Sequence, residues 1–119
     1  MLPSSFWNSI NMLLTMLKSK IHGATVTQCD LHYEGSIKID RNWMRKVGIL
    51  PNEQVDVVNL NTGGRWTTYA IEGNVAEIGV NGAGARLAME GDEVIIMAYC
   101  QVSPLKAKWM KPKILIQDL

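Results

Sequence analysis

His22 and His32 are the only two histidines of the chain, and Asp30 and Glu34 flank the second. Two imidazoles with carboxylate help would be metal-ligand chemistry. However, His-x-Glu in a strand puts only two side chains on one face, and no third ligand is evident. Histidines hydrogen-bonding near a subunit surface are the simpler reading. The stretch Asp30-Leu31-His32-Tyr33-Glu34-Gly35-Ser36 joins strand to strand through Gly35-Ser36, a dipeptide that by itself is a common turn. Arg65 and Tyr69 are four residues apart on a predicted strand and share a face, while Thr68 points the other way. Taken alone, Arg65 is a solvated strand-end charge and Tyr69 a half-buried strand aromatic. Asn81-Gly82 alone is an ordinary type I′ turn, followed by the small residues Ala83, Gly84 and Ala85. The usual signatures of nucleotide, hydrolase and zinc-protease chemistry are missing: there is no P-loop, no G-x-G-x-x-G after a strand, no G-x-S-x-G and no H-E-x-x-H.

The elements that must position these residues are short. Apolar runs are punctuated at close intervals by Gly, Asn or Asp, a mostly-β pattern without repeats or low-complexity tracts. Leu13 to Ile21 starts as a dense run and ends in the alternation Lys18, Ser19, Lys20, Ile21, and Thr25-Val26-Thr27 is β-branched. Ser36 to Ile39 alternates as a half-buried strand. Asp40 can cap a short helix, Arg41 to Val47, that Gly48 stops. Pro51-Asn52 turns the chain into a strand Gln54 to Leu60. Asn61-Thr62-Gly63-Gly64 is a hairpin signal, and Arg65 to Ile71 is the returning strand. After a turn at Gly73-Asn74, Ala76 to Val80 reads as a strand, Asn81 to Ala85 as a small-residue loop and Arg86 to Met89 as one helical turn. Glu93 to Cys100 is strongly β, Ser103-Pro104 opens a connection with one short helical turn, and Lys113 to Gln117 is a last strand. Six or more short strands with one or two short helices predict a closed β-barrel. Trp43, Trp66 and Trp109 read as core or interface anchors, and Cys29 and Cys100 as plain buried thiols.

A chain of 119 residues argues for one domain with its own core. The net charge of +1 gives no broad basic surface for nucleic acid. Hydrophobic residues at 47% and charged residues at 19% describe a globular chain. Two cysteines, not in a C-x-x-C pair, exclude a disulfide-dense scaffold and fit a reduced, cytoplasmic setting. The apolar stretch Ile10 to Leu17 is interrupted by Asn11 and Thr15 and is short of the roughly 20 residues of a membrane span. No basic residue precedes it and no small-x-small site follows it, so a signal peptide is not expected. Residues 1–11 look like an extension, non-native or an arm packing on a neighbour through Phe6 and Trp7, with Met12 a candidate natural start. Residues 12–119 then form the single domain.

The order and spacing of several pieces carry a resemblance. Lys20-Ile21-His22 precedes Asp30 to Ser36. Arg65-Trp66-Thr67-Thr68-Tyr69 follows a glycine hairpin. Asn81-Gly82-Ala83-Gly84-Ala85 comes next, and then Gly91-Asp92-Glu93-Val94-Ile95-Ile96. From about Met16 to Ile116 the chain resembles the bacterial pyruvoyl-dependent aspartate 1-decarboxylases.

The resemblance implies a mainly β fold, a double-psi β-barrel assembled as a homotetramer with active sites between subunits. It implies a proenzyme that cuts itself between Gly35 and Ser36, with or without a maturation factor. Ser36 Oγ would attack the Gly35 carbonyl, for which glycine permits an unusual backbone conformation and close approach. Elimination and hydrolysis would then turn Ser36 into an N-terminal pyruvoyl group. Thr68 is implied as the oxyanion donor, and Asn81 as a residue ordering the processing site. The pyruvoyl ketone would form a Schiff base with L-aspartate and accept electrons as CO2 leaves, giving β-alanine for pantothenate and coenzyme A synthesis without metal or pyridoxal phosphate. Arg65 matches the arginine that forks onto the substrate carboxylate. Lys20 matches a position lining the anionic site, and Tyr69 the acid that reprotonates the substrate carbon. Thr68, Gly82, Ala83 and Gly84 match residues that contact substrate.

Three positions depart from the family pattern: Gly23 where many members have Arg, Val58 where some have Trp, and Gly84 in place of a frequent Ala. Gly23 is expected to weaken an electrostatic contact and Gly84 to loosen a loop. The alternative reading is a non-catalytic double-psi barrel serving as an assembly or binding module. The joint presence of Gly35, Ser36, Arg65, Thr68 and Tyr69 favours the enzyme, since a binding module needs no such set.

Overall fold

The computed structural model describes residues 12–117; the extension expected over residues 1–11 lies outside them. Strand β1 (Leu14–Thr25) is one 12-residue element that bulges between Leu17 and Ser19 and again between His22 and Ala24. The second bulge is at Gly23, with φ +83, a conformation glycine adopts at little cost. A Cβ there would also lie 3.1 Å from the Gln117 carbonyl oxygen, so packing favours the glycine that the sequence pattern marked as a departure. The bent strand pairs antiparallel with β7 (Glu93–Val102) and parallel with β8 (Lys113–Ile116).

Past Thr25 the chain crosses from one half of the sheet to the other. The Val26 N–H donates to the Asp92 carbonyl, and the next N–H, of Thr27, donates to the Ile78 carbonyl, both at 2.8 Å. Strand β2 (Gln28–Asp30) then runs parallel to β6 (Ile78–Asn81). With β3 (Ser36–Asp40), β4 (Gln54–Asn59) and β5 (Arg65–Gly73), the strand order is β2-β6-β3-β5-β4-β7-β1-β8. Because β1 and β2 are one bent run, this order closes on itself as a ring, with β8 alongside β1. Strands β3 and β5 are parallel neighbours, yet β3 leads past β5 to β4, and β5 leads past β3 to β6. These interlocked crossovers make the mainly β, double-psi barrel expected above, with two short helices, α1 (Arg41–Val47) and α2 (Pro104–Ala107).

The core follows from period-two alternation. Ile21, Ile37, Ile39, Val57, Ile78, Val80, Val94 and Ile96 are all fully buried, and all are β-branched, which suits a pleated surface. Each such side chain stabilises the barrel by about 1.5–3 kcal/mol, and Ile96→Ala would cost about 2–5 kcal/mol. Helix α1 adds Met44 and Val47 to this core. Its bounds are those predicted. Asp40 Oδ1 accepts from the Asn42 and Trp43 N–H groups at 2.7 and 3.3 Å, and Gly48 ends the helix at φ 76.

The structure corrects several expectations. Strand β3 is not half-buried: Ser36, Ile37, Ile39 and Asp40 are all buried, with the outward Ser36 held by Asn81 and Glu34 and the outward Asp40 by the Ala76 N–H. The strand predicted from Ala76 begins at Ile78, because Ala76 has φ 59, outside the β region. The predicted helical turn Arg86–Met89 is displaced to a 3-10 turn, Gly82–Arg86. Side chains claim the backbone beyond it: Asn59 Nδ2 donates to the Leu87 carbonyl at 3.0 Å, and Asp92 Oδ2 accepts from the Met89 N–H at 2.9 Å. Cys29 is exposed rather than buried. Of the three tryptophans expected as core or interface anchors, Trp43 and Trp66 pack against the core, while Trp109 is 81% exposed, which leaves it the interface alternative. Among the described residues, no helix is long and apolar enough to cross a membrane.

Candidate active site

Ser36 opens β3 and is 2% exposed. Its Oγ accepts from Asn81 Nδ2 at 3.0 Å and donates to the Glu34 carbonyl at 3.1 Å. The two residues face each other because β3 and β6 pair antiparallel with Ser36 opposite Asn81. The preceding turn is held by Asp30, whose Oδ1 accepts from the His32 N–H at 3.1 Å. The Lys38 ammonium sits over the Tyr33 ring, 5.6 Å from its centre.

Gly35 is approached closely by Gly82. Its φ is not in the left-handed region, and a Cβ on it would meet nothing within 4 Å. The requirement for glycine falls on Gly82. Gly82 has φ +72, and a Cβ there would lie 2.6 Å from Gly35 Cα and 2.8 Å from Gly35 N. The bare face of Gly82 is what lets the Gly35 backbone lie where it does. Asn81-Gly82 is therefore no type I′ turn, as Asn81 is extended at φ −110.

Strand β5 brings Thr68 and Tyr69 to the same end. In the parallel pairing Ile37 is opposite Ala70. Carried one step back, that register sets Ser36 beside Tyr69, while Gly35 lies in the bend before β3. Alternation puts Tyr69 on the outer face with Ser36 and Asn81, while Thr68 faces inward opposite the buried Val55.

Arg65 and Lys20 lie elsewhere. Arg65 shares the outer face with Tyr69 but sits four residues up the strand, about 13 Å away at 3.3 Å per residue. Lys20 is opposite Met97, Met97 opposite Asp56, and Asp56 opposite Thr67, so three strand spacings, about 14 Å, separate Lys20 from β5. A groove of about 200 Å³ on this face is lined by Asp56, Arg65, Thr67, Met97 and Tyr99 among others. Asp56 Oδ1 accepts from Thr67 Oγ1 at 2.6 Å. The structure therefore gathers Gly35, Ser36, Thr68, Tyr69, Asn81 and Gly82 at one end of β3 and leaves Lys20 and Arg65 on an outer face of the same chain. Ala83 and Gly84 follow Gly82 in the 3-10 turn.

Sequence reasoning missed the Glu34 carbonyl, the Asp56–Thr67 pair and the packing of Trp66 on Gly84. Only the Asp56–Thr67 pair had a signal, an acidic residue and a hydroxyl placed to face each other across a predicted hairpin. Among the described residues no three His, Cys, Asp or Glu side chains gather as metal ligands. Although Cys29 is exposed, partial desolvation of its sulfur, with Asp92 and Glu90 nearby, pushes the thiol up from its ordinary value, which disfavours the reactive thiolate.

The aspartate decarboxylase family model matches residues 12–119. A protein of Maricaulis maris named aspartate 1-decarboxylase is 53% identical over 109 residues, covering 90% of each chain. One of Caulobacter vibrioides with the same name is 56% identical, covering 90% of this chain and 92% of its own. One of Clostridium acetobutylicum, also so named, is 53% identical over 105 residues, covering 87% of this chain and 83% of its own. The crystal structure of a rationally designed protein aligns with 63% of this chain and 90% of its own at 12% identity and a TM-score of 0.47. From its match along residues 12–119 and its identity to these relatives, the chain belongs to the aspartate decarboxylase family.

Proposed function

We propose that the protein is a pyruvoyl-dependent aspartate 1-decarboxylase that cuts itself between Gly35 and Ser36 and then converts L-aspartate to β-alanine and CO2. The names of its relatives support the activity. The observation that carries the cleavage reading is Ser36 Oγ, buried and held between Asn81 Nδ2 and the Glu34 carbonyl. In this reading Ser36 Oγ attacks the Gly35 carbonyl carbon, the peptide C–N bond breaks, and an ester joins Gly35 to the serine oxygen. Thr68, next to Tyr69 on β5, supplies a donor to the oxyanion. Loss of the Ser36 Cα proton then expels the Gly35 carboxylate and leaves dehydroalanine. Water adds, ammonia leaves, and position 36 ends as a ketone.

The residues present fit such a group, since the bare face of Gly82 leaves room for the Gly35 backbone and Asn81 reaches the hydroxyl that makes the attack. When formed, the pyruvoyl group supplies a carbonyl for the substrate amine and a conjugated sink for the electrons left by CO2. Arg65 forks onto a substrate carboxylate, Lys20 adds positive charge, and the Gly82, Ala83 and Gly84 backbone approaches the substrate. Tyr69 donates the proton that replaces CO2 at the substrate carbon. The distance of Arg65 and Lys20 from Ser36 along the barrel supports a homotetramer in which one subunit's cations serve another's Ser36. The reading places residues 12–119 as one domain in the cytoplasm, with β-alanine passing to pantothenate and coenzyme A synthesis and cleavage either spontaneous or helped by a maturation factor.

Intact mass under denaturing conditions tests it first. Two fragments, Met1–Gly35 and a ketone-bearing piece from position 36 to Leu119, together with CO2 release from L-aspartate, are expected. An uncut chain after prolonged warming with a maturation factor, or a cut enzyme inert toward L-aspartate, would sink the reading.

A further inference from the structure

We propose that Trp66 is a positioning residue, size-matched to Gly84, whose indole sets where the Gly82–Gly84 segment lies over Gly35 and Ser36. This rests on the reading of that segment as part of the substrate site. A Cβ on Gly84 would lie 2.6 Å from Trp66 Nε1, 3.1 Å from its Cδ1 and 3.2 Å from its Cε2. Gly84 is not among the positive-φ glycines, so its backbone conformation does not call for glycine. The space taken by the indole does.

The half-buried indole is backed by the core on its inner side. Trp66 sits on β5 opposite Val57, which is fully buried, and packs against the hydrophobic core. A methyl at position 84 must therefore move the segment rather than the ring. Two residues earlier, Gly82 rests on the Gly35 backbone, where a Cβ would lie 2.6 Å from Gly35 Cα. The 3-10 turn is thus clamped between an indole at one glycine and the cleavage site at the other. It has no side-chain hydrogen bond at its N-cap to hold it independently. Gly84 does not loosen this loop, as the sequence suggested; it lets the loop close onto Trp66.

The test compares self-cleaved wild type, Gly84→Ala, Trp66→Phe and the double variant. Phenylalanine removes the indole nitrogen edge that a Cβ on residue 84 would strike. Gly84→Ala is expected to lower kcat/KM for L-aspartate by about tenfold or more, since a displacement of about 1 Å can cost about 100-fold. The loss should appear mainly as a raised KM, in protein that is still cleaved and melts near wild type. The double variant should recover most of it. A Gly84→Ala enzyme indistinguishable from wild type, or a loss that Trp66→Phe does not repair, overturns the proposal. If Gly84→Ala does not fold, a folded and active double variant supports the pairing, and one that also fails to fold overturns it. Wild type inert toward L-aspartate would instead overturn the functional reading. The pair would then be read from the melting temperatures of the four proteins, non-additive for a size-matched pair and additive if there is none.

Discussion

Asn81 Nδ2 lies 3.0 Å from Ser36 Oγ across the β3–β6 ladder, with both residues buried. The amide is thus a fixed donor to one specific hydroxyl, and it leaves the hydroxyl proton directed at the Glu34 carbonyl. Asn81→Ala removes that donor without filling its place. Losing one buried hydrogen bond costs about 1–3 kcal/mol, which would slow cleavage roughly five- to 150-fold if the bond persists in the transition state. The fraction of cut chain followed by intact mass over time measures this, and an unchanged rate would remove Asn81 from the processing role.

Ser36→Ala should give an uncut, folded and inactive chain. Its Asn81 amide is left without the hydroxyl, a penalty of about 1–3 kcal/mol before repacking. A lower urea midpoint alongside a single intact mass is the expected pair of results. Cleavage in this variant would show that another group performs the attack.

Tyr69→Phe keeps the ring on the outer face beside Ser36 and removes only the hydroxyl. Cleavage should proceed, while turnover of L-aspartate falls by about 10²–10⁴-fold, the usual contribution of a placed general acid. Normal CO2 release from the cleaved variant would take Tyr69 out of the acid role.

Arg65→Ala and Ser36→Ala should each be inactive as pure proteins, and co-expression should restore part of the activity. The reason is the separation of Arg65 from Ser36 along one chain, which a shared site between subunits would bridge. Mixed assemblies as inactive as the parents would return Arg65 to the role of a solvated strand-end charge.

Asp40 gives the fold a dependence on acid. Burial pushes its carboxyl up, but the N–H groups of Ala76, Asn42 and Trp43, with Arg41 nearby, more than offset this and hold it below its ordinary value. A depressed native value means stability that is present above the unfolded-chain value of about 3.9 and is lost as pH falls through the native one. Urea midpoints measured from pH 6 down to pH 3 should drop at the acid end in wild type. The drop should be shallower in Asp40→Asn, which should also be less stable at pH 6 because an uncharged cap accepts those three donors less well.

Much of the fold could be read locally. Asp40, Arg41–Val47 and Gly48 form a cap, a helix and a stop from chemistry within nine residues, and the Asn61–Gly64 signal lies between the strands it predicted. The residue types at 35, 36, 65, 68, 69 and 81 were likewise legible, because side-chain chemistry is a property of the residue and the spacing matched a known family. Tertiary structure alone decided the rest. Whether Thr68 or Tyr69 neighbours Ser36 depends on the register of two parallel strands far apart in sequence, which no local pattern encodes. The need for glycine at 82 and the demand for space at Gly84 arise where segments distant in sequence pack within a van der Waals radius. Burial of β3 on both faces comes with partners distant in sequence, Asn81 at Ser36 and Ala76 at Asp40, not from its own alternation. The sequence determined which groups this protein possesses; the closing of the barrel determined which of them meet, because only ladder register and packing convert residue order into distance.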